Sequence, residues 1–83
     1  MIQSSRGAFL VFLHIVVDET SEAEPLTQNQ IIERMEQEGC HISNHTFRDY
    51  IKDSEEAGII IKRRLPEGAD RGAFRYWYAD GWI

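Results

Sequence analysis

The sequence predicts a mainly α fold that ends in a β-hairpin: three helices followed by two strands. Three observations support this fold class. Two capped helical segments are separated by a short turn at residues 39–42. Gly58 then separates the last helix from the β-branched run at residues 59–61. An aromatic segment at residues 73–79 follows a loop that contains proline and glycine, and it supplies the second strand.

Length and composition indicate one small globular domain over residues 1–83, since 42% of the residues are hydrophobic and 28% are charged. Its core is too small to enclose a deep catalytic pocket. The single cysteine, Cys40, excludes an internal disulfide and a zinc framework, which favours a reducing cytoplasm. No signal peptide is visible, and the longest apolar run, 8–17, is too short to span a bilayer, so we expect no membrane partner.

The formal net charge of −5 argues against a nucleic-acid partner, but the charges are unevenly distributed. Residues 1–39 carry two basic and seven acidic side chains. Residues 40–79 carry seven basic and six acidic side chains. An acidic first half and a mildly basic second half indicate a polarised surface.

The first helix is predicted at about residues 5–18, with Ser4 or Ser5 as its N-cap. Its helical stripe consists of Phe9, Phe12, Leu13 and Val16. Four further residues of this helix are also apolar: Leu10, Val11, Ile15 and Val17. A helix that is apolar nearly all round is either a central core helix or one whose second side forms a dimer seam or docks on another domain. A buried strand is the remaining alternative.

The next segment, 18–25, is acidic and is predicted to be a solvated loop without the ligand spacing of a metal site. The second helix is predicted at about residues 27–38. Thr27 and Gln30 form a capping box, and Leu26 and Ile31 form the matching hydrophobic staple. Ile31, Ile32 and Met35 give its buried stripe, and Gly39 stops it. We interpret Cys40 and His41 as plain turn residues rather than ligands or catalytic groups.

The third helix is predicted at about residues 43–57, with Ser43 as its N-cap and a staple between Ile42 and Phe47. Helical spacing gives this helix two faces. The predicted inner face holds Phe47, Tyr50, Ile51 and Ser54, and the outer face holds His45, Arg48, Asp49, Lys52 and Glu56. Ser54 lies at a position of the inner face where the helical pattern predicts a large apolar residue. It either faces a neighbouring backbone closely or leaves the core underpacked.

Three helices followed by a hairpin, at about residues 59–79, is the order of a winged helix-turn-helix domain. Such a domain reads DNA with the N-terminal half of its exposed helix in the major groove, while the wing contacts the phosphate backbone. Arg48 is the best candidate for a guanine contact; Asn44 would read adenine or hold a phosphate, and Thr46 would bond a phosphate. The full candidate set is Ser43, Asn44, His45, Thr46, Arg48 and Lys52 on the helix, with Lys62, Arg63, Arg64, Arg71 and Arg75 on the hairpin.

Each candidate also has a purely structural interpretation. Arg48 and Lys52 could pair with neighbouring acids on a solvated helix, and His45 could be an ordinary surface histidine. The basic triplet at residues 62–64 could protect an edge strand from aggregation. Trp77 and Tyr78 are more typical of a hairpin core than of a surface on which bases stack.

The sequence resembles the N-terminal winged-helix domain of bacterial WYL-type transcriptional regulators. The matching motifs are Glu24-Pro25-Leu26-Thr27, Ile31-Ile32, Ile42-Ser43-Asn44-His45-Thr46-Phe47, Glu55-Glu56-Ala57-Gly58 and Tyr76-Trp77-Tyr78. The match runs from about Phe9 to Trp82; it departs at Ser54, where the family has leucine, and at the family's Arg-Asp pair, which falls one place early on Arg48-Asp49. The resemblance implies DNA binding through residues 43–52, usually by a dimer. It does not extend to the sensory WYL domain.

We therefore expect a module that binds double-stranded DNA as a homodimer, with the apolar first helix as the candidate interface, and with no cofactor, metal or small-molecule substrate. The alternative is a winged helix that serves protein–protein interaction or dimerisation without contacting DNA. Single-stranded or structured RNA binding through residues 76–78 ranks third, and it requires at least two exposed rings there. Enzymatic activity is not expected, because no nucleophile lies beside a plausible base and no glycine loop could hold a phosphate.

Overall fold

A computed structural model of the chain describes residues 5–64 and 74–79. Its elements are α1 (Ser5–Glu19), α2 (Gln28–Gln37), α3 (Asn44–Glu56), β1 (Ile60–Arg64) and β2 (Phe74–Tyr78). The two strands pair antiparallel, with Ile60 opposite Tyr78 and Arg64 opposite Phe74. The predicted fold class of three helices and a two-stranded hairpin is confirmed. Ser4 as an N-cap, Arg71, Trp82 and the connector at residues 65–72 lie outside the described residues.

Helix α1 lies across the core with one side buried. Ala8, Phe12, Ile15 and Val16 are buried, and Phe9, Val11 and Leu13 pack against them half-buried. The core interpretation of this helix is therefore confirmed for one side, and the strand alternative is wrong. On the opposite side, Leu10 is 61% exposed and Val17 is 39% exposed.

The acidic segment after α1 is only partly the solvated loop that its composition predicts. Asp18 and Glu19 belong to the last turn of α1, and Thr20 is buried. The Thr20 hydroxyl donates to the Val16 carbonyl at 2.6 Å and accepts from the Tyr78 amide at 2.9 Å. This correction has a simple physical cause: the hydroxyl satisfies a helix-end carbonyl and a strand amide at once, so burying it leaves no polar group unpaired.

Helix α2 forms between the two signals that the sequence supplies. The Thr27 hydroxyl accepts from the Gln30 amide at 3.2 Å, and the Gln30 side chain accepts from the Thr27 amide at 2.9 Å, which completes the capping box. At the other end Gly39 has φ +81°, and the Cys40 amide bonds to the Met35 carbonyl at 2.9 Å. These are the contacts of a Schellman motif, which needs a left-handed residue at the position of Gly39.

The hairpin gains a third chain segment that periodicity does not predict. Leu26 pairs with Tyr76 in an isolated antiparallel bridge, with N···O distances of 3.0 and 2.8 Å. The residue just before α2 is thereby fixed to β2. Since Leu26 is also the staple residue of α2, this bridge joins the start of that helix to the hairpin.

Aromatic rings join the helices to the hairpin. Phe12 of α1 contacts Phe47 and Tyr50 of α3, with ring centroids 5.9 and 5.4 Å apart. Phe47 in turn contacts Tyr76 of β2 edge-on, with centroids 5.4 Å apart. Phe47 and Phe12 are fully buried. The aromatic residues of the core therefore hold α3 from behind, against both α1 and the hairpin.

Candidate nucleic-acid interface

The turn before α3 sets where this helix begins. Caps at Glu38 and Ser43 leave four residues between them, as predicted. Cys40 and Ile42 are buried in this turn, and burial raises the pKa of the Cys40 thiol. His41 is exposed and its Nδ1 lies 3.1 Å from a carboxylate oxygen of Glu36. Cys40 thus anchors the turn, and His41 lies on the surface.

The N-terminus of α3 is capped by side chains that were predicted to face DNA. The Ser43 hydroxyl accepts from the Thr46 amide at 3.1 Å and donates to the Thr46 hydroxyl at 3.0 Å. Asn44 is exposed, and its side-chain oxygen accepts from the Gln28 amide group at 3.1 Å. Gln28 is the first residue of α2, so this bond joins the starts of the two helices. Sequence patterns gave no signal for Gln28, because its partner lies sixteen positions away.

The two faces of α3 are the ones that helical spacing predicts. Phe47, Tyr50, Ile51 and Ser54 are buried. The opposite face is exposed and consists of His45, Arg48, Asp49, Lys52 and Glu56. The orientation of the helix is therefore fixed by the ring contacts behind it, and its outer face is available to a partner.

The ion pairs on the outer face leave its two cations free. Nε2 of His45 lies 3.5 Å from an oxygen of Asp49, one turn along the helix. Neither Arg48 nor Lys52 forms an ion pair with any carboxylate in the described part of the chain. The pairs with neighbouring acids that the alternative interpretation gives to Arg48 and Lys52 are not among the ion pairs of the described residues. Both are charged groups one turn apart whose donors face solvent.

The hairpin places a second group of cations next to an aromatic ring. The Lys62 ammonium lies 4.3 Å from the centroid of the Phe74 ring, and the Arg64 guanidinium carbon lies 4.5 Å from it. These contacts follow from the register, which sets Arg64 directly opposite Phe74 and Lys62 diagonally to it. Phe74 was not among the residues predicted to matter for binding, because the contact depends on strand pairing.

The two remaining described hairpin cations differ in exposure. Arg63 is exposed, and its guanidinium donates only a long, 3.4 Å bond to the neighbouring Lys62 carbonyl. Arg75, its partner in the strand pair, is half-buried. Arg71 lies outside the described residues. Arg63 is therefore an exposed guanidinium, as is Arg64, whereas that of Arg75 belongs to a half-buried residue.

The aromatic residues at positions 76–78 of β2 do not form an exposed surface for base stacking. Tyr76 and Trp77 are buried and Tyr78 is half-buried. Burial is the main cause that raises the pKa of the Tyr76 phenol, and the negative charge of nearby Glu55 raises it further. The RNA hypothesis required two exposed rings at residues 76–78, so it is wrong in that form.

Within the described residues there is no cluster of histidine, cysteine and carboxylate groups that could hold a metal ion. No helix in that same part of the structure is both long and apolar enough to cross a membrane. Comparison of the chain with protein-family models, with curated proteins and with solved structures finds no match.

Proposed function

We propose that this chain is the DNA-binding winged-helix module of a transcriptional regulator, with α3 in the major groove and the hairpin on the phosphate backbone. The observation that carries the proposal is the unpaired state of Arg48 and Lys52 on the outer face of α3. An exposed arginine without an acidic partner has its full set of donors free for the O6 and N7 acceptors of a guanine. Lys52, one turn further along, would contact a phosphate or a second base.

The hairpin supplies the charge that the helix lacks. Lys62, Arg63 and Arg64 are consecutive in β1, and the two strands contain no acidic residue over their described positions. Cations that replace counterions along the phosphate backbone provide sequence-independent affinity. Stacking on Phe74 restricts the side chains of Lys62 and Arg64 before any ligand binds, which lowers the entropic cost of each contact.

The acidic residues of α3 restrict which part of the helix meets DNA. Asp53, Glu55 and Glu56 lie in its last turns, whereas Ser43, Asn44 and Thr46 lie at its start. The start of a helix also carries the positive end of its dipole. We therefore place residues 43–52 against the groove, with the acidic end of α3 pointing away from the duplex.

The resemblance to the N-terminal domain of WYL-type regulators supports the same function through residues 43–52. Under this proposal the partner is double-stranded DNA, the protein acts in the bacterial cytoplasm and a homodimer is the working form. The proposal includes no membrane partner, cofactor or small-molecule substrate, and it includes no catalytic activity.

Titration of the chain with a fluorescent duplex pool of random sequence, at several salt concentrations, tests the proposal. Arg48→Ala should weaken binding to the duplex that the wild-type chain selects from this pool by about 1–3 kcal/mol, and it should relax the preference at one base pair. Arg63→Ala should weaken binding to all sequences alike and reduce the salt slope by about one. Arg34→Gln is the control, since it removes a positive charge of α2 that is already paired with Glu19 at the end of α1.

Absence of duplex binding at low salt would overturn the proposal. Equal losses for Arg34→Gln and Arg48→Ala would also contradict it, because binding would then depend on net charge alone. The acidic half of the chain, with seven acidic and two basic residues over positions 1–39, favours a second candidate: a protein-interaction module without groove contact. That candidate predicts no salt-dependent duplex binding and recovery of a basic protein partner in a pull-down.

A further inference from the structure

A hydrogen bond between two side chains joins the first residues of α2 and α3. The Nε2 group of Gln28 donates to Oδ1 of Asn44 at 3.1 Å, across sixteen positions of the chain. Gln28 is half-buried, whereas Asn44 is exposed at the start of the outer helix. The sequence leaves two roles open for Asn44, reading adenine and holding a phosphate, and this bond bears on the choice between them.

Two sets of contacts fix the backbone that carries Gln28. Thr27, immediately before it, forms the capping box with Gln30. Leu26, two residues before it, is bridged to Tyr76 of β2, with N···O distances of 3.0 and 2.8 Å. Gln28 therefore extends from a firmly held support, so it can keep the side chain of its partner in one orientation.

The bond determines which polar groups of the Asn44 carboxamide remain free. Its oxygen keeps one of its two lone pairs, and its nitrogen keeps both hydrogens. Turning the carboxamide over would set its nitrogen against the Gln28 donor, so the bond favours one orientation. An acceptor and a donor side by side complement N6 and N7 of adenine, whereas guanine presents the two acceptors O6 and N7 there. A phosphate would use the donor alone.

We propose that Gln28 is a positioning residue for sequence recognition, which holds the Asn44 carboxamide in the orientation that reads an adenine in the major groove. This inference rests on the proposed function, because it sets the start of α3 against DNA. A side chain that is ordered before binding loses less entropy on contact. A carboxamide that is kept from turning over also discriminates against guanine, whose O6 would face the Asn44 oxygen. A residue of α2 thereby determines what α3 reads.

Base preferences of Gln28 variants test the proposal. The duplex that the wild-type chain selects from a random pool is varied at each base pair, and the dissociation constants are compared. Asn44→Ala should remove a preference for adenine of about tenfold at one base pair. Gln28→Met, which keeps the length of the side chain and removes its donor, should reduce the same preference several-fold. Gln37→Met, the same substitution at the exposed last residue of α2, should leave the preference unchanged.

Two further variants separate positioning from a direct contact with DNA. Gln28→Lys restores a donor to Asn44, so it should keep the adenine preference, although its added charge raises the affinity for every sequence alike. The double variant Gln28→Met/Asn44→Ala should bind as Asn44→Ala does, because Gln28 acts through Asn44. Additive losses would mean that Gln28 contacts DNA itself, and they would overturn the positioning role.

The free chain gives a readout that does not involve DNA. In ¹H–¹⁵N spectra of the wild type, the side-chain amide signals of Gln28 and Asn44 should differ from those of solvated carboxamides. Gln28→Met should return the Asn44 signals to the solvated positions, while the backbone signals of the core show that the variant folds. Wild-type signals that already lie at the solvated positions would show that the bond is absent and would overturn the inference.

The outcomes distinguish this inference from the proposed function. A wild-type chain that binds no duplex overturns the proposed function and this inference with it. A chain that binds with an adenine preference insensitive to Gln28→Met overturns this inference alone. A loss of affinity for all sequences alike in Asn44→Ala does the same, because Asn44 would then hold a phosphate.

Discussion

Helix α3 and the hairpin carry opposite balances of charge. Helix α3 contains two basic residues, Arg48 and Lys52, and four acidic ones. The described strand positions contain four basic residues and no acidic one. Under the proposed function this difference divides the work: the helix, with few free cations, contributes selected base contacts, and the basic strand positions contribute general attraction to phosphates.

The end of the hairpin that carries its cations is also less buried than α3. Four residues of α3 are buried, and Phe47 among them has no exposed surface. The hairpin buries Ile60, Tyr76 and Trp77. Phe74, whose ring contacts Lys62 and Arg64, is only half-buried. A reading helix needs a fixed orientation to meet base edges, whereas phosphate contacts tolerate small displacements. The packing therefore matches the charge distribution.

Truncation of one phenylalanine in each region is the strongest test of this difference. Phe47→Ala should lower the free energy of unfolding by about 3–5 kcal/mol, since it removes a ring that contacts both Phe12 and Tyr76. Phe74→Ala should cost less than half as much, because its ring is already partly solvated. Urea denaturation followed by circular dichroism measures both. Equal losses would show that the hairpin is held as firmly as α3.

Removal of the Thr20 hydroxyl tests how β2 is held against α1. Thr20→Val keeps the shape of the side chain but leaves the Tyr78 amide without its acceptor. The expected loss of unfolding free energy is about 1–3 kcal/mol. Thr20→Ser keeps the hydroxyl and should lose less, which makes it the matched control. A Thr20→Val variant as stable as the wild type would mean that water replaces the hydroxyl at no cost.

High pH should lower the free energy of unfolding, because both α3 and the hairpin pack against buried groups that are neutral in the folded chain. Burial raises the pKa of Tyr50 and Cys40 under α3, and burial together with Glu55 raises the pKa of Tyr76 in β2. A raised pKa in the folded chain means that the unfolded chain loses its proton first. Stability is therefore full below the unfolded pKa values of 9.0 and 10.0, and it falls above them by at most about 1.4 kcal/mol per pH unit for each group.

Urea midpoints measured between pH 8 and pH 10.5 should show this fall. Tyr76→Phe removes the contribution of the hairpin, and Cys40→Ala removes that of the turn before α3. Each variant should flatten the pH dependence without abolishing it. Midpoints that stay constant through this range in the wild type would show that these groups titrate equally in the folded and unfolded chain.

Local signals in the sequence predict the helices and the two faces of α3 well. The Thr27 capping box, the Ser43 cap and the glycines that end α2 and α3 each act within a few residues, so their positions can be deduced from the chain alone. Contacts between distant segments could not be predicted, because no signal within a few residues marks them. The Leu26–Tyr76 bridge and the Gln28–Asn44 bond join residues that only the folded chain brings together.

The candidate interface likewise has features that the sequence predicts and features that only the folded chain shows. Exposure of Arg48 and Lys52 follows from helical spacing, which the sequence contains. Whether a cation has an acidic partner depends on rotamers, and the pairing of Asp49 with His45 rather than Arg48 could not be predicted from composition. The stacking of Lys62 and Arg64 on Phe74 likewise depends on the strand register.

Two serines of α3 provide the last and smallest test, with effects of opposite sign. The Ser54 hydroxyl is buried, with 1% of the residue exposed, and it has no hydrogen-bond partner among the described residues. Ser54→Ala should therefore raise the free energy of unfolding by about 1 kcal/mol, since it removes a polar group whose burial is uncompensated. Ser43→Ala should lower it by about 1 kcal/mol, because the Thr46 amide loses its cap.

The same pair separates stability from DNA binding along α3. Ser54 lies behind the helix near its acidic end, so Ser54→Ala should leave the duplex affinity unchanged while the thermal midpoint rises. Ser43 lies at the start of the helix, where the groove contacts are proposed, so Ser43→Ala should weaken binding as well as stability. If Ser54→Ala destabilises the chain, its hydroxyl has a partner in the folded protein and the inner face of α3 is fully satisfied. The firmer packing attributed to α3 over the hairpin would then include a polar contact as well as the aromatic ones.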